Sequence, residues 1–163
     1  NGIANPEKLY PGQQLVVPGA KALEVAKGKS VEARPVPSGS LRGNLLWPVS
    51  GTMTSGFERR WGRLHTGIDI AAPTGTLIRA ARGGRVVTAG WMGGCGRTVV
   101  IDHGRGLVTL YAHCSKILVK KGSQVEKGQG IATVGSSGRS TGPYLHFEVV
   151  VDGRPRNPLL YLE

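Results

Sequence analysis

A mainly β, antiparallel fold is predicted by two features of the sequence: short alternating apolar runs recur at regular spacing, and 26 glycines lie between and around them. A third feature bounds the size. At 163 residues the chain is long enough for one good core with a fragment beside it.

The elements follow in order. Residues 1–20 carry the turn-rich stretch Asn5-Pro6-Glu7-Lys8 and Tyr10-Pro11-Gly12, then a short apolar strand over Leu15-Val16-Val17. Residues 21–45 are polar, broken by Arg34-Pro35-Val36-Pro37-Ser38-Gly39-Ser40, and read as a linker. Residues 46–163 form the main domain. In Leu64-His65-Thr66-Gly67-Ile68-Asp69-Ile70 a strand period of two places His65, Gly67 and Asp69 on one face, with Leu64, Ile68 and Ile70 on the other. Further strands are expected at Thr76–Ile78, Arg85–Ala89, Arg97–Ile101, Leu107–Tyr111 and Ile131–Val134, with His103 in a hairpin turn over Ile101–Gly106 and no chemical role. His113 ends the apolar run that begins at Leu107. Near the C-terminus Tyr144-Leu145-His146-Phe147-Glu148-Val149 alternates, sending Leu145, Phe147 and Val149 to the core and Tyr144, His146 and Glu148 to the other face.

His65, Asp69 and His146 carry the chemistry. Two imidazoles and one carboxylate are a sufficient protein ligand set for a catalytic zinc with an open coordination position. The same set also describes the facial triad of non-haem iron oxygenases, but those carry their first two ligands two residues apart, whereas His65 and Asp69 are four apart. No serine or cysteine has a Ser-His-Asp or nucleophile-elbow context, which disfavours covalent hydrolysis.

Three ordered stretches, His65-Thr66-Gly67-Ile68-Asp69-Ile70-Ala71, Tyr111-Ala112-His113 and Ser140-Thr141-Gly142-Pro143-Tyr144-Leu145-His146-Phe147-Glu148, closely resemble the lysostaphin-type (LytM) zinc metallopeptidases that cut peptide cross-links in bacterial cell walls. The resemblance runs from about Trp47 to Leu162. It implies antiparallel sheets forming a groove, one zinc ion held by His65, Asp69 and His146, and His113 as a catalytic helper that does not bind the metal. The departure is Tyr144. The last motif of that family usually reads His-x-His, its first histidine being the second helper, and this chain has tyrosine there. Tyrosine is a poor general base at neutral pH, yet its hydroxyl can donate to a developing oxyanion. Tyr144 is therefore read either as that catalytic hydroxyl or as an aromatic packing over the groove. Glu148 reads first as a solvated strand residue, with a partner to a ligand histidine as the alternative.

Residues 1–20 are similar to the last part of a lysin-motif (LysM) repeat, a small glycan-binding module; the other reading is an N-terminal strand added to the main domain. The missing initiator methionine fits a trimmed, proteolysed or truncated chain, and the lysin-motif remnant implies a larger wall-bound parent protein; the missing signal peptide does not imply cytoplasm. Together these resemblances imply a peptidoglycan endopeptidase exported to the periplasm or cell envelope. A second class of function, a catalytically weak LytM-type domain that activates a cell-wall amidase during division, is favoured by Tyr144 and opposed by the intact ligands.

Formal net charge is +11, from 21 Lys and Arg against 10 Asp and Glu. Such a balance favours polyanions. The basic residues are scattered and no nucleic-acid-binding motif is present, so nucleic acid is not an expected partner; the anionic envelope fits, and so does a merely solubilising surface. No apolar run reaches the roughly 18 residues of a transmembrane segment. If the hairpin turn centres on Gly104-Arg105, Cys95 faces Cys114, a pairing that permits a cross-strand disulfide in an oxidising compartment. A one-residue shift or a bulge removes it.

Overall fold

The computed structural model describes residues 44–60 and 62–163. The LysM-like reading of residues 1–20, and the linker up to residue 43, lie outside the described residues. Leu45 is fully buried, bridges to Leu162, and both its N–H and that of Asn44 donate to the Tyr161 carbonyl at 2.9 and 3.0 Å.

Among the described residues twelve strands follow: β1 (Thr52–Ser55), β2 (Arg59–Arg60), β3 (Arg63–Leu64), β4 (Ile68–Ala71), β5 (Leu77–Arg79), β6 (Gly84–Trp91), β7 (Arg97–Asp102), β8 (Leu107–Ile117), β9 (Gln124–Val125), β10 (Gly130–Val134), β11 (Tyr144–Val151) and β12 (Arg154–Arg156). Ten of them form one sheet in the order β1-β4-β11-β8-β7-β6-β9, with β10 joining β5 to β8 and β12 pairing with β11. Strands β2 and β3 form a separate hairpin. Every strand pairing is antiparallel, as the alternating runs predict.

Alternation reads through most directly in β11, an interior strand between β4 and β8. Leu145, Phe147 and Val149 are fully buried, and Phe147 packs on Tyr111 of β8 with ring centroids 5.3 Å apart. Both faces of β4 were expected to be continuous with His65, and they are not. The chain leaves the separate β2–β3 hairpin at Leu64 and enters the large sheet only at Ile68, so His65 is held from outside the strand that carries Asp69. Leu64 is correspondingly exposed, whereas Ile68 and Ile70 are in the core. Gly67 makes the crossing possible: a Cβ there would lie 2.3 Å from the Phe147 carbonyl oxygen and 3.0 Å from the His146 ring.

His113 does not end its strand, because β8 continues to Ile117. It sits where β8 passes from one neighbour to another, pairing with β11 up to Ala112 and with β10 from Cys114. On the other side, Arg97 opposes Cys114 and Val99 opposes Tyr111, so β8 carries one extra residue against β7. His113 adopts φ 62° at this bulge, a left-handed conformation that turns its side chain out of the regular alternation.

The bulge and the turn together remove the pairing that a Cys95–Cys114 disulfide would need. Asp102 opposes Val108, so the hairpin centres on Arg105 itself, and Cys114 faces Arg97. Cys95 lies in a short helical turn over Gly93–Cys95, and both cysteines are free thiols. His103 stands at the hairpin as expected, its Nδ1–H donating to the Gly83 carbonyl at 2.9 Å and its Nε2 paired with Thr109 Oγ1 at 2.7 Å.

Candidate metal centre

Strands β4 and β11 are neighbours in register, with Asp69 directly opposite His146. His65 arrives from the segment after β3, its backbone N–H donating to the Glu58 carbonyl at 2.8 Å. One nitrogen of each ring and one oxygen of the carboxylate then converge: His146 Nδ1 lies 2.7 Å from Asp69 Oδ1, His65 Nε2 lies 3.3 Å from the same oxygen, and the two nitrogens are 3.2 Å apart. The three ligand atoms lie within 4.8 Å of one another.

The outer atoms of both rings settle the tautomers. His65 Nδ1 is 2.7 Å from the Gly56 carbonyl, which can only accept, so the proton is on Nδ1 and Nε2 carries a lone pair. His146 Nε2–H likewise donates to Glu148 Oε1 at 2.9 Å, which leaves the Nδ1 lone pair facing inward. Thr66 Oγ1 donates to that same Glu148 oxygen and fixes the carboxylate. With neutral rings, therefore, three acceptors point at one another with no hydrogen between them. They repel unless a cation sits among them, which is the donor set and the outer hydrogen-bond pattern of a zinc site.

A proton can also fill that role. Burial works against charge on His146, but hydrogen bonds to Asp69 and Glu148, and their negative charges, outweigh it and raise its pKa to about 9. Burial likewise opposes ionisation of Asp69, and the bond and charge of His146 overcome it, lowering the carboxyl pKa. A metal held at this site would compete with that proton for His146 Nδ1.

His113 and Tyr144 line the groove next to this cluster. The His113 ring centroid is 6.1 Å from that of His146 and 4.9 Å, edge-on, from that of Tyr144. His113 Nδ1–H donates to the Ser137 carbonyl at 2.8 Å, which leaves Nε2 free to accept. Burial lowers the His113 pKa, partly offset by that carbonyl, so the ring is neutral at pH 7. Burial raises the pKa of the Tyr144 hydroxyl, which Ser140 contacts, so the phenol keeps its proton.

Of the five residues expected at the site, His65, Asp69 and His146 converge, and the His113 and Tyr144 rings stand beside them. Glu148 is a partner of a ligand histidine, not a solvated residue; its place two positions after His146 on the same strand face carried that signal. Thr66 and Ser137 were not singled out from the sequence. Thr66 lies within the first motif, whereas Ser137 reaches His113 only through the fold.

The sequence pattern of peptidase family M23 matches residues 63–158, the stretch that holds all of these groups. The chain belongs to peptidase family M23. Its relatives include the DD-carboxypeptidase/endopeptidase Mpg of Neisseria meningitidis, 50% identical over 97 residues that cover 60% of this chain and 22% of Mpg. The murein hydrolase activator EnvC of Escherichia coli is 42% identical over 136 residues, covering 82% of this chain and 32% of EnvC. Among solved structures, a zinc-containing peptidase from Vibrio cholerae shares the fold with a TM-score of 0.68 at 39% identity, covering 72% of this chain and 40% of that one. The M23 chain thus spans under a third of the length of Mpg and about a third of EnvC. Among its described residues, no helix is long and apolar enough to cross a membrane.

Proposed function

We propose that this M23 domain is a zinc-dependent endopeptidase that hydrolyses peptide cross-links of bacterial peptidoglycan in the periplasm or cell envelope. The observation that carries the reading is the convergence of His65 Nε2, Asp69 Oδ1 and His146 Nδ1, three acceptors whose outer partners are already committed. These residues would hold one zinc ion, which supplies hydroxide at neutral pH and polarises a carbonyl. The Gly56 carbonyl and Glu148 keep the two ligand rings in the orientation and tautomer that the role requires. His113, neutral and with Nε2 directed away from its Ser137 bond, accepts a proton during attack and returns it to the leaving amine. Tyr144, protonated and beside His113, donates to the developing oxyanion where the resemblance expects a second histidine. The test is release of muropeptides from purified sacculi by zinc-loaded protein, with His65→Ala as control. Release by the native protein alone supports the reading, and no release with zinc bound refutes it.

A second reading is favoured by one observation, the tyrosine at 144, together with similarity to a protein named as a murein hydrolase activator. In that reading the groove binds and activates a cell-wall amidase and hydrolyses nothing itself. Amidase stimulation by a protein that releases no muropeptides would establish it.

A further inference from the structure

Ser137 occupies a position that the metal ligands do not explain. Its side chain bridges two strands, accepting from the Arg97 backbone N–H of β7 at 2.9 Å and donating to the Cys114 carbonyl of β8 at 2.8 Å. Those two residues face each other immediately beyond the β8 bulge, where the regular ladder is interrupted. Its main-chain carbonyl, meanwhile, accepts the His113 Nδ1–H at 2.8 Å. One residue thus ties together both flanks of the bulge and the ring that the bulge presents.

The loop around it is locked against the turn before β7. Arg139 N–H donates to the Gly94 carbonyl at 2.8 Å. A Cβ on Gly96 would lie 2.4 Å from the Ser137 carbonyl carbon, and one on Gly138 would lie 2.4 Å from the Gly96 nitrogen. Both glycines have positive φ, 67° and 76°, so their lack of a side chain serves backbone conformation and close approach together. Ser137 therefore has no freedom to relocate its carbonyl without losing the two Oγ bonds.

We infer that Ser137 is a positioning residue: its hydroxyl clasps β7 to β8 across the bulge so that its carbonyl holds His113 in the Nδ1–H tautomer, with Nε2 presented to the groove. In solution a neutral imidazole exchanges between its two tautomers, and only one leaves Nε2 able to accept a proton. The inference rests on the proposed role of His113 for its effect on turnover, but not for its effect on the ring.

Both effects are measurable on the full zinc-loaded chain. A long-range ¹H–¹⁵N spectrum of the histidine rings reports the tautomer, and hydrolysis of a cross-linked muropeptide gives kcat and KM. In Ser137→Ala, the Nε2–H tautomer of His113 should appear and kcat should fall about ten- to a hundredfold, with zinc content and KM little changed. Ser137→Thr, which keeps a hydroxyl, should restore both. If Ser137→Ala does not fold, Ser137→Cys keeps the shape, weakens both bonds, and should show the same shift in smaller degree. A variant lacking the hydroxyl that retains a pure Nδ1–H ring and native kcat overturns the inference. If the native protein hydrolyses nothing, the peptidase reading falls, and the tautomer spectra alone still support or overturn the clasp.

Discussion

Removing Glu148 should loosen the metal without touching a ligand. Its Oε1 accepts the His146 Nε2–H at 2.9 Å, the side chain is only 16% exposed, and Thr66 holds it in place. A hydrogen bond to a charged group in such a setting contributes about 1.5–3 kcal/mol, and it acts on the ligand's orientation and basicity together. Loss of an outer partner of this kind costs about 10- to 100-fold in metal affinity, equivalent to about 1.4–2.7 kcal/mol, so the two estimates agree. Glu148→Ala should therefore raise the zinc Kd within that range, and Glu148→Gln, whose amide oxygen can still accept, should fall between it and the native protein. Competition against a chromophoric zinc chelator at neutral pH gives the Kd, with the thermal unfolding transition as a check that the fold persists. A folded Glu148→Ala protein whose Kd changes by less than about twofold would refute the assignment of Glu148 as the orienting partner of His146.

Other perturbations probe the groove and the core. Tyr144→Phe should lower muropeptide release by about a hundredfold if the hydroxyl donates to the oxyanion, and unchanged release would exclude that role; Tyr144→His should raise it. Tyr111→Phe removes a fully buried hydroxyl that accepts the Ala81 N–H at 2.8 Å and pairs with Thr109 Oγ1 at 3.0 Å, so urea unfolding should show a loss of about 1–3 kcal/mol. Burial lowers the His103 pKa below 6.5, only partly offset by its bond to Gly83, so the unfolded chain takes up this proton first. That contribution to stability is complete above about pH 6.5 and is lost as pH falls through the depressed folded value, and His103→Gln should flatten the dependence in pH-resolved denaturant titrations.

The parts of the fold that are written locally are legible in the sequence. Side chains of a strand alternate with a period of two wherever the strand lies, so Leu145, Phe147 and Val149 announced their burial, and His146 and Glu148 their shared face. The same rule misled at His65, because a period can be drawn through residues 64–70 although Leu64 lies in the separate β2–β3 hairpin and the chain enters the large sheet only at Ile68. It misled again at Cys95 and Cys114, where register depends on one residue of turn position and on a bulge.

What the sequence by itself determined was the chemistry: two histidines and an aspartate of zinc-ligand type, a third histidine on a separate strand, and a tyrosine in an unusual place. These are properties of residue type and short-range order, which survive without tertiary context. What only the tertiary structure decided was aim. Asp69 meets His146 through the β4–β11 register, and His113 turns into the groove at an extra residue in β8. Glu148, Thr66 and Ser137 acquire their roles as the sheet closes around those three side chains. Register and bulges are set by the packing of strands far apart in the chain, and no local pattern encodes that packing.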